Sequence, residues 1–341
     1  MRVRNRFSSV LALSVFTLSL LFKPADAFSS TYPEVKIAVV SWIGYGPLYV
    51  AEKMNLFNKY GVHVKLINFS DGALMSGATA SDAVNASTLT YDQVIPAVAR
   101  GLPVKVVMPI DYSDGADAIL ASDSIKTVAD FKDHKVAYNF GTPSEFLLGY
   151  ALKKHHMGFS DIKKINISAG GIPSALASGS VHIGVTWQPH VSKALSLGDG
   201  RLFHVVYSSK DAPGLISDTL TFNSNFIKTK PSEVLDVIKG YIAGMEYMTK
   251  HHDKSMKIIA KELNISISSV ESQYTGVKNV SESNMGEVFK KSKSSLSYYT
   301  SGAIISQIQL HDKDISRIPP TSTTFDSSFV KHILWKAHNG F

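Results

Sequence analysis

From Val35 to about residue 223, short apolar runs rich in β-branched residues alternate with stretches whose apolar positions recur at helical spacing. The runs Val35 to Val40, His63 to Phe69, Ala83 to Ala86, Val104 to Ile110, Ala118 to Ala121, Lys135 to Asn139, Lys164 to Ser168, Val181 to Thr186, Leu202 to Tyr207 and Ser217 to Phe222 predict strands. Strands joined by helical crossovers pair in largely parallel sheets, so the pattern predicts an α/β fold. After Asn223 it turns helical with few strands, opening with Pro231 at a first-turn position and the run SEVLDVIKGYIAGMEYMTK.

The alternation contains an echo. GALMSGATASDAVNAST (Gly72 to Thr88) reads as short helix, polar turn and short strand, and GIPSALASGSVHIGVTW (Gly171 to Trp187) repeats that order. Two similar α/β lobes account for it, with the chain crossing between them near Ser113 to Ala118 and returning near Ile216 to Asn223. The expected division is residues 28–115 for the first part of lobe 1, 116–218 for lobe 2, and 219–341 for the return strand and C-terminal helices of lobe 1.

The start of the chain follows a different pattern. Arg2, Arg4 and Arg6 precede an apolar run from Val10 to Phe22, and Ala25-Asp26-Ala27 supplies small residues for a peptidase, which predicts a cleavable signal peptide over residues 1–27. The run is shorter than the roughly 20 residues of a membrane-spanning helix. The net charge of +7 includes +3 from those 27 residues, and the lysines of the remainder are scattered with no basic stripe, so no nucleic-acid partner is expected. The chain has no cysteine, which excludes disulfides, thiolate metal sites, a cysteine nucleophile and a lipid-anchored N-terminal cysteine. Export without disulfides or lipid points to the periplasm of a Gram-negative cell.

Ligands of open parallel sheets sit beyond the carboxyl ends of the strands. That rule selects the loops Ser41 to Pro47, Phe69 to Gly72, Ser87 to Tyr91, Asp111 to Asp117, Phe140 to Glu145 and Trp187 to Pro189, which line one cleft if the lobes face each other. The segments SWIGYGPLYVAEKMNLFNKYGVHV (Ser41 to Val64), GLPVKVVMPIDYSDGADAILA (Gly101 to Ala121), KVAYNFGTPSEFLLGYALKKHHMG (Lys135 to Gly158) and LASGSVHIGVTWQPHVSKA (Leu176 to Ala194) occur here in that order. In them the chain resembles the nitrate/sulfonate/taurine-type solute-binding proteins of ABC importers, which are related to binding proteins for thiamine-pyrimidine precursors. The resemblance covers Val35 to Asn223 well and the tail loosely.

The resemblance implies a type II periplasmic binding fold: two Rossmann-like lobes, a two-strand hinge, a helical C-terminal region, and a ligand enclosed when the lobes close. It implies a monomer that delivers a small molecule to an inner-membrane permease and its ATPase, without cofactor or catalysis. The family's binding loops match at Trp42, Gly44 and Tyr45, at Thr88 to Thr90, at Asp111 to Asp117, at Thr142 to Ser144, and at Trp187. The chain departs from the pattern at Gln188, where relatives often carry an acid, and at Glu145, where a neutral residue or histidine is expected.

Each position also has a purely local reading. The free N–H groups of a helix start at GTPSEF suit an anionic group, with the Thr142 and Ser144 hydroxyls as further donors, while Thr142, Pro143 and Glu145 also spell a capping box. Thr90 and Gln93 spell another. Trp42, Tyr45 and Trp187 supply aromatic walls with polar tips, or pack beneath the cleft. Asp111, Asp114 and Asp117, with Asp71 and Glu145 in neighbouring loops, suit a ligand carrying an amino or other cationic group; Asp71 equally caps the helix after it, and the others equally brace the crossover. Asp111 and Asp117 flank that crossover and are the stronger candidates. The pairs His155-His156 and His251-His252 point about 100° apart on a helix and are not metal ligands.

The expected ligand is therefore an aminosulfonate, a sulfonate or another zwitterion. A thiamine-pyrimidine-type heterocycle and a sensory role are alternatives. An enzyme of the pyrimidine-precursor synthase type is disfavoured by the export signal and the missing cysteines.

Overall fold

A computed structural model describes residues 32–339, and the expected signal peptide lies outside the described residues. The strands are β1 (Glu34–Val39), β2 (His63–Asn68), β3 (Ala86–Thr90), β4 (Val104–Ser113), β5 (Asp117–Ser122), β6 (Lys135–Tyr138), β7 (Lys163–Asn166), β8 (Ile183–Trp187), β9 (Phe203–Ser208), β10 (Ser217–Asn223) and β11 (Val277–Asn279). They form two sheets, ordered β11-β4-β10-β3-β1-β2 and β7-β6-β8-β5-β9.

The two sheets share one wiring. In the first, β1 runs parallel to β2 and β3, and β10 lies antiparallel between β3 and β4. In the second, β6 runs parallel to β7 and β8, and β5 lies antiparallel between β8 and β9. The echo in the sequence falls on equivalent strands, β3 and β8, each preceded by its short helix. β10 is buried at every position and β5 at all but its last, so both read as apolar runs with no exposed face.

Helices cover these sheets: α1 (Gly46–Lys53), α2 (Met75–Ala80), α3 (Tyr91–Ala99), α4 (Pro143–Lys154), α5 (Ile172–Ala177) and α6 (His190–Leu195), then α7 (Ser224–Thr229), α8 (Pro231–Lys250), α9 (His252–Leu263), α10 (Ile267–Tyr274), α11 (Tyr298–His311) and α12 (Ser328–Asn339) in the tail. Pro143 and Pro231 each start a helix, where a missing N–H costs nothing. No described helix is long and apolar enough to cross a membrane.

The chain passes between sheets twice, through residues 114–116 and 209–216. Two buried serines tie these passages together. Ser113 Oγ and Ser209 Oγ lie 2.7 Å apart, the Gly115 N–H donates to Ser209 Oγ at 2.6 Å, and the Asp117 N–H donates to Ser113 Oγ at 3.0 Å.

Two strand expectations shift by three residues or more at one end or both, and one strand is new. β3 occupies 86–90 rather than 83–86, because the chain turns through Asp82 in a left-handed conformation (φ 61°) before it can extend. This puts Thr88 and Thr90 inside a strand. β4 runs three residues beyond Ile110, since β10 and β11 both pair with its end. β11 itself was not expected: three residues are too few to show a periodicity.

The tail seats itself through close backbone approach. A Cβ on Gly244 of α8 would stand 2.3 Å from the Pro47 carbonyl oxygen in α1, whereas one on Gly77 of α2 would meet nothing within 4 Å. Gly244→Ala is expected to destabilise the protein by about 1–3 kcal/mol, read as a lower urea midpoint. Gly77→Ala should leave the midpoint unchanged or raise it slightly. Equal effects of the two would contradict this packing.

Candidate functional site

The carboxyl ends of the parallel strands face one another across a cavity of about 360 Å³, a figure that includes space open to solvent. The first sheet contributes Trp42 and Tyr45 after β1, Gly72 and Met75 after β2, Thr88 and Thr90 of β3, and Gln93 of α3. The second contributes Thr142 and Pro143 after β6 and Trp187 at the end of β8; Asp117, Ile216 and Asp218 come from the crossovers and the strands they start.

Two hydrogen bonds join the sheets around this cavity. The Trp187 indole N–H donates to the Ser41 carbonyl at 3.0 Å, and Gln93 Nε2 donates to the Gly141 carbonyl at 3.0 Å and to the Gly72 carbonyl at 3.2 Å. The two sheets are in direct contact around the cavity through these bonds.

The electrostatic character comes from acids at equivalent places. Asp218 in β10 is paired with Thr90, the last residue of β3, and Asp117 in β5 is paired with Trp187, the last residue of β8. Each is a carboxyl on the antiparallel strand of its sheet, beside the end of a parallel one. A third acid, Asp111, pairs with Asp218 across β4 and β10. The Trp42 indole N–H lies 3.3 Å from both Asp111 oxygens, and the Tyr45 hydroxyl lies 2.5 Å from Asp218 Oδ1 and 2.9 Å from the Thr88 carbonyl. No Lys, Arg or His is among the residues that line the cavity.

Burial without a compensating cation favours the neutral carboxyl. Desolvation pushes Asp111 up to about 7 against the pull of Trp42, and pushes Asp117 up to about 8 with the charge of Asp218 adding to it. Asp218 is driven well above the ordinary carboxylate range by burial and then by the charge of Asp111. Gly44 is required by this cluster: a Cβ there would lie 2.3 Å from Asp111 Oδ2 and 2.4 Å from Trp42 Nε1.

Of the residues expected at the site, Trp42, Tyr45, Thr88, Thr90, Asp117, Thr142 and Trp187 line the cavity. Gly44 and Asp111 do not; they form a layer behind Trp42 and Asp218. Ser144 is buried off the cavity wall, and its hydroxyl has no partner. Glu145 opens instead into a second space of about 750 Å³, shared with Asp92, Asp312 and Asp314. The capping box expected at α4 is displaced: the Thr142 hydroxyl donates to the Asn139 carbonyl at 2.6 Å, and Glu145 accepts the N–H of Gly141, one residue earlier than expected, at 2.8 Å. The box of Thr90 and Gln93 does form, and Asp71 accepts the Ala73 N–H as a cap. Asp114 is half-buried at the crossover, where its N–H donates to Gly276.

Asp218, Gln93, Met75, Val40 and Ile216 line the cavity without having been expected there as ligand contacts, while Gly72 and Pro143 fall within loops expected at the cleft. Asp218 had one sequence signal, a lone acid in the otherwise neutral run ISDTLTF. His155, His156, His251 and His252 are exposed, and among the described residues no group of three or more metal-ligating side chains is positioned to hold a metal.

A family model described as NMT1/THI5 like matches residues 42–255. A protein of Brucella abortus (strain 2308), provisionally named a binding protein, is 23% identical over 283 residues, covering 77% of this chain and 82% of its own. The alkanesulfonate-binding protein of Xanthomonas axonopodis pv. citri, solved with MOPS bound, superposes with a TM-score of 0.71 at 17% identity, over 87% of this chain and 99% of its own. The ligand-binding component of an ABC-type import system from Staphylococcus aureus, solved with zinc bound, superposes with a TM-score of 0.69 at 13% identity, over 88% and 98%. At these identities the likeness is one of fold, and that fold is the periplasmic binding protein fold that the sequence resemblance implies.

The buried acids fix the sign of the pH response. Unfolded, Asp111 and Asp117 ionise near their ordinary value of 3.8; folded, they keep their protons to about 7 and about 8. Between those limits the folded state holds more protons, so stability falls as pH rises, by up to about 1.4 kcal/mol per pH unit for each group. Asp92, also pushed by burial to about 7, acts in the same direction. The urea midpoint of the ligand-free protein should drop between pH 5 and pH 8, and Asp117→Asn should flatten the drop. A midpoint that rises over this range would contradict the assignment.

Proposed function

The chain belongs to the NMT1/THI5-like family, and we propose that it is the solute-binding component of an ABC importer, closing in the periplasm on a small solute that carries positive charge and catalysing no reaction. The observation that carries the charge of the solute is the cavity wall: Asp117 and Asp218 face the space, and no Lys, Arg or His accompanies them. A cationic group entering there compensates the ionisation of these acids, which a bare anion cannot do.

An aminosulfonate or a comparable zwitterion fits both poles. Its ammonium group would meet Asp117 and Asp218, while its anionic pole would take hydrogen bonds from Thr88, Thr90 and Thr142 once their hydroxyls turn from the Ala38 carbonyl, Gln93 Oε1 and the Asn139 carbonyl, to which they donate in this structure. A protonated thiamine-pyrimidine-type heterocycle is the second reading, favoured by the aromatic faces of Trp42, Tyr45 and Trp187 around the same space. The names of relatives support the transport role, one an alkanesulfonate-binding protein and another a component of an ABC-type import system.

In this reading the moving bodies, among the described residues, are 32–113 with 217–339, which hold the first sheet, and 117–208, which hold the second. They hinge about residues 114–116 and 209–216, and the bonds from Trp187 to Ser41 and from Gln93 to Gly141 break on opening. The loaded clamp then docks on an inner-membrane permease and its ATPase.

A ligand that binds only the folded protein raises its stability by about 2.7 kcal/mol at a hundredfold excess over Kd. Thermal melts with taurine, alkanesulfonates, aminophosphonates, nitrate, bicarbonate and thiamine-pyrimidine compounds should show a raised midpoint for a class bearing a cationic group. A rise with nitrate or a plain alkanesulfonate alone would refute the charge assignment, and no rise with any compound would refute the ligand class. Trp187→Phe, which removes the bond to Ser41, should weaken binding of the stabilising compound by roughly 2- to 10-fold. Unchanged affinity would contradict the closure geometry.

A further inference from the structure

The Tyr45 hydroxyl has one proton and two oxygens within hydrogen-bond distance, the Thr88 carbonyl at 2.9 Å and Asp218 Oδ1 at 2.5 Å. The carbonyl can only accept. When Tyr45 donates to it, the short contact with Asp218 needs a proton on the carboxyl. Asp218 also faces Asp111 across the β4 and β10 ladder, and two buried carboxyls at paired positions cannot both ionise without strong repulsion, which favours a proton on one of them. Asp111 receives only the Trp42 indole N–H in addition, at 3.3 Å.

The titratable groups acting on this pair come from every side. They are Asp117 of β5, Asp92 of α3, Tyr45 and Tyr49 of the β1 loop and α1, Tyr241 of α8, Tyr274 of α10 and Tyr298 of α11. All are acids or phenols, and burial raises every one of those phenols above its ordinary value. None supplies a positive charge to the pair. Only Asp218 of the two reaches the cavity wall, where Asp117 stands beside it.

We propose that Asp111 and Asp218 share one proton in the empty clamp, and that the cationic group of an incoming solute replaces this proton, so that loading exchanges a cation for a proton. Before loading, the pair carries one negative charge; afterwards two carboxylates and one cation carry the same net charge. The buried charge does not change, and a solute that brings no positive charge to Asp218 cannot release the proton. Selectivity thus resides in Asp218 as the contact and in Asp111 as its positioning neighbour. This deepens the capture reading above and rests on it.

Infrared difference spectra between wild type and D218N at pH 6.5 test the first half. The wild type should show the carbonyl stretch of a protonated carboxyl that D218N lacks. The second half is tested by titrating the wild type with methylammonium chloride against sodium chloride at equal ionic strength, which needs no variant to fold. Methylammonium should bleach that band and release up to one proton per chain, with affinity rising about tenfold for each unit by which pH is increased, up to the pH at which the pair ionises. D111N should release fewer protons. No protonated-carboxyl difference, or a band that methylammonium leaves intact, overturns the proposal. A panel compound that stabilises the protein while the band persists overturns the exchange alone; a band that responds to methylammonium while the whole panel is inert supports the exchange and overturns capture of those solutes.

Discussion

Two carboxyl groups side by side in a buried sheet, with no Lys, Arg or His among the described residues that line the adjoining cavity, are the constraint around which the site is arranged. Asp111 and Asp218 occupy paired positions on β4 and β10, both almost wholly removed from water. Their polar neighbours are spent on them: the Trp42 indole turns to Asp111 and the Tyr45 hydroxyl to Asp218. Gly44 keeps its place because any side chain would collide with the first of these contacts. Such an arrangement is unfavourable in the empty protein, since a buried acid is stable only when neutral or paired. In the proposed reading the same feature makes the site receptive to a positive group.

The second element is symmetry. Both sheets place an antiparallel strand next to the end of a parallel one, and both put an acid there, Asp218 beside Thr90 and Asp117 beside Trp187. The serine pair at the crossovers, Ser113 with Ser209, sits at the base of the arrangement. Two walls bearing buried acids thus face each other across the cavity, which only an occupant of opposite charge or retained protons make favourable.

Much of this was legible in the sequence. The β and α alternation and the echo between Gly72 to Thr88 and Gly171 to Trp187 report real, equivalent units, because strand and helix periods depend on local pattern. The rule that ligands lie beyond the ends of parallel strands located Trp42, Tyr45, Thr142 and Trp187 correctly at the cavity. It did not locate Asp218, which lies near the start of an antiparallel strand and reaches the same edge from the opposite direction. Glu145 was misjudged because its destination depends on the helix α11 region packing against α4, a contact between segments about 160 residues apart. The displaced cap at Thr142 and the late start of β3 after Asp82 are shifts of one to three residues, set by backbone conformations that residue type alone does not fix.

The central claim is that buried acids, with Asp218 foremost, make this clamp select positive charge. The most direct measurement is calorimetric binding of a matched pair, taurine and ethanesulfonate, which differ by one amino group, to the wild-type protein and to D218N. The account predicts tighter binding of taurine to the wild type and loss of that advantage in D218N. Ethanesulfonate binding as tightly as taurine, or a taurine preference that survives in D218N, would contradict it.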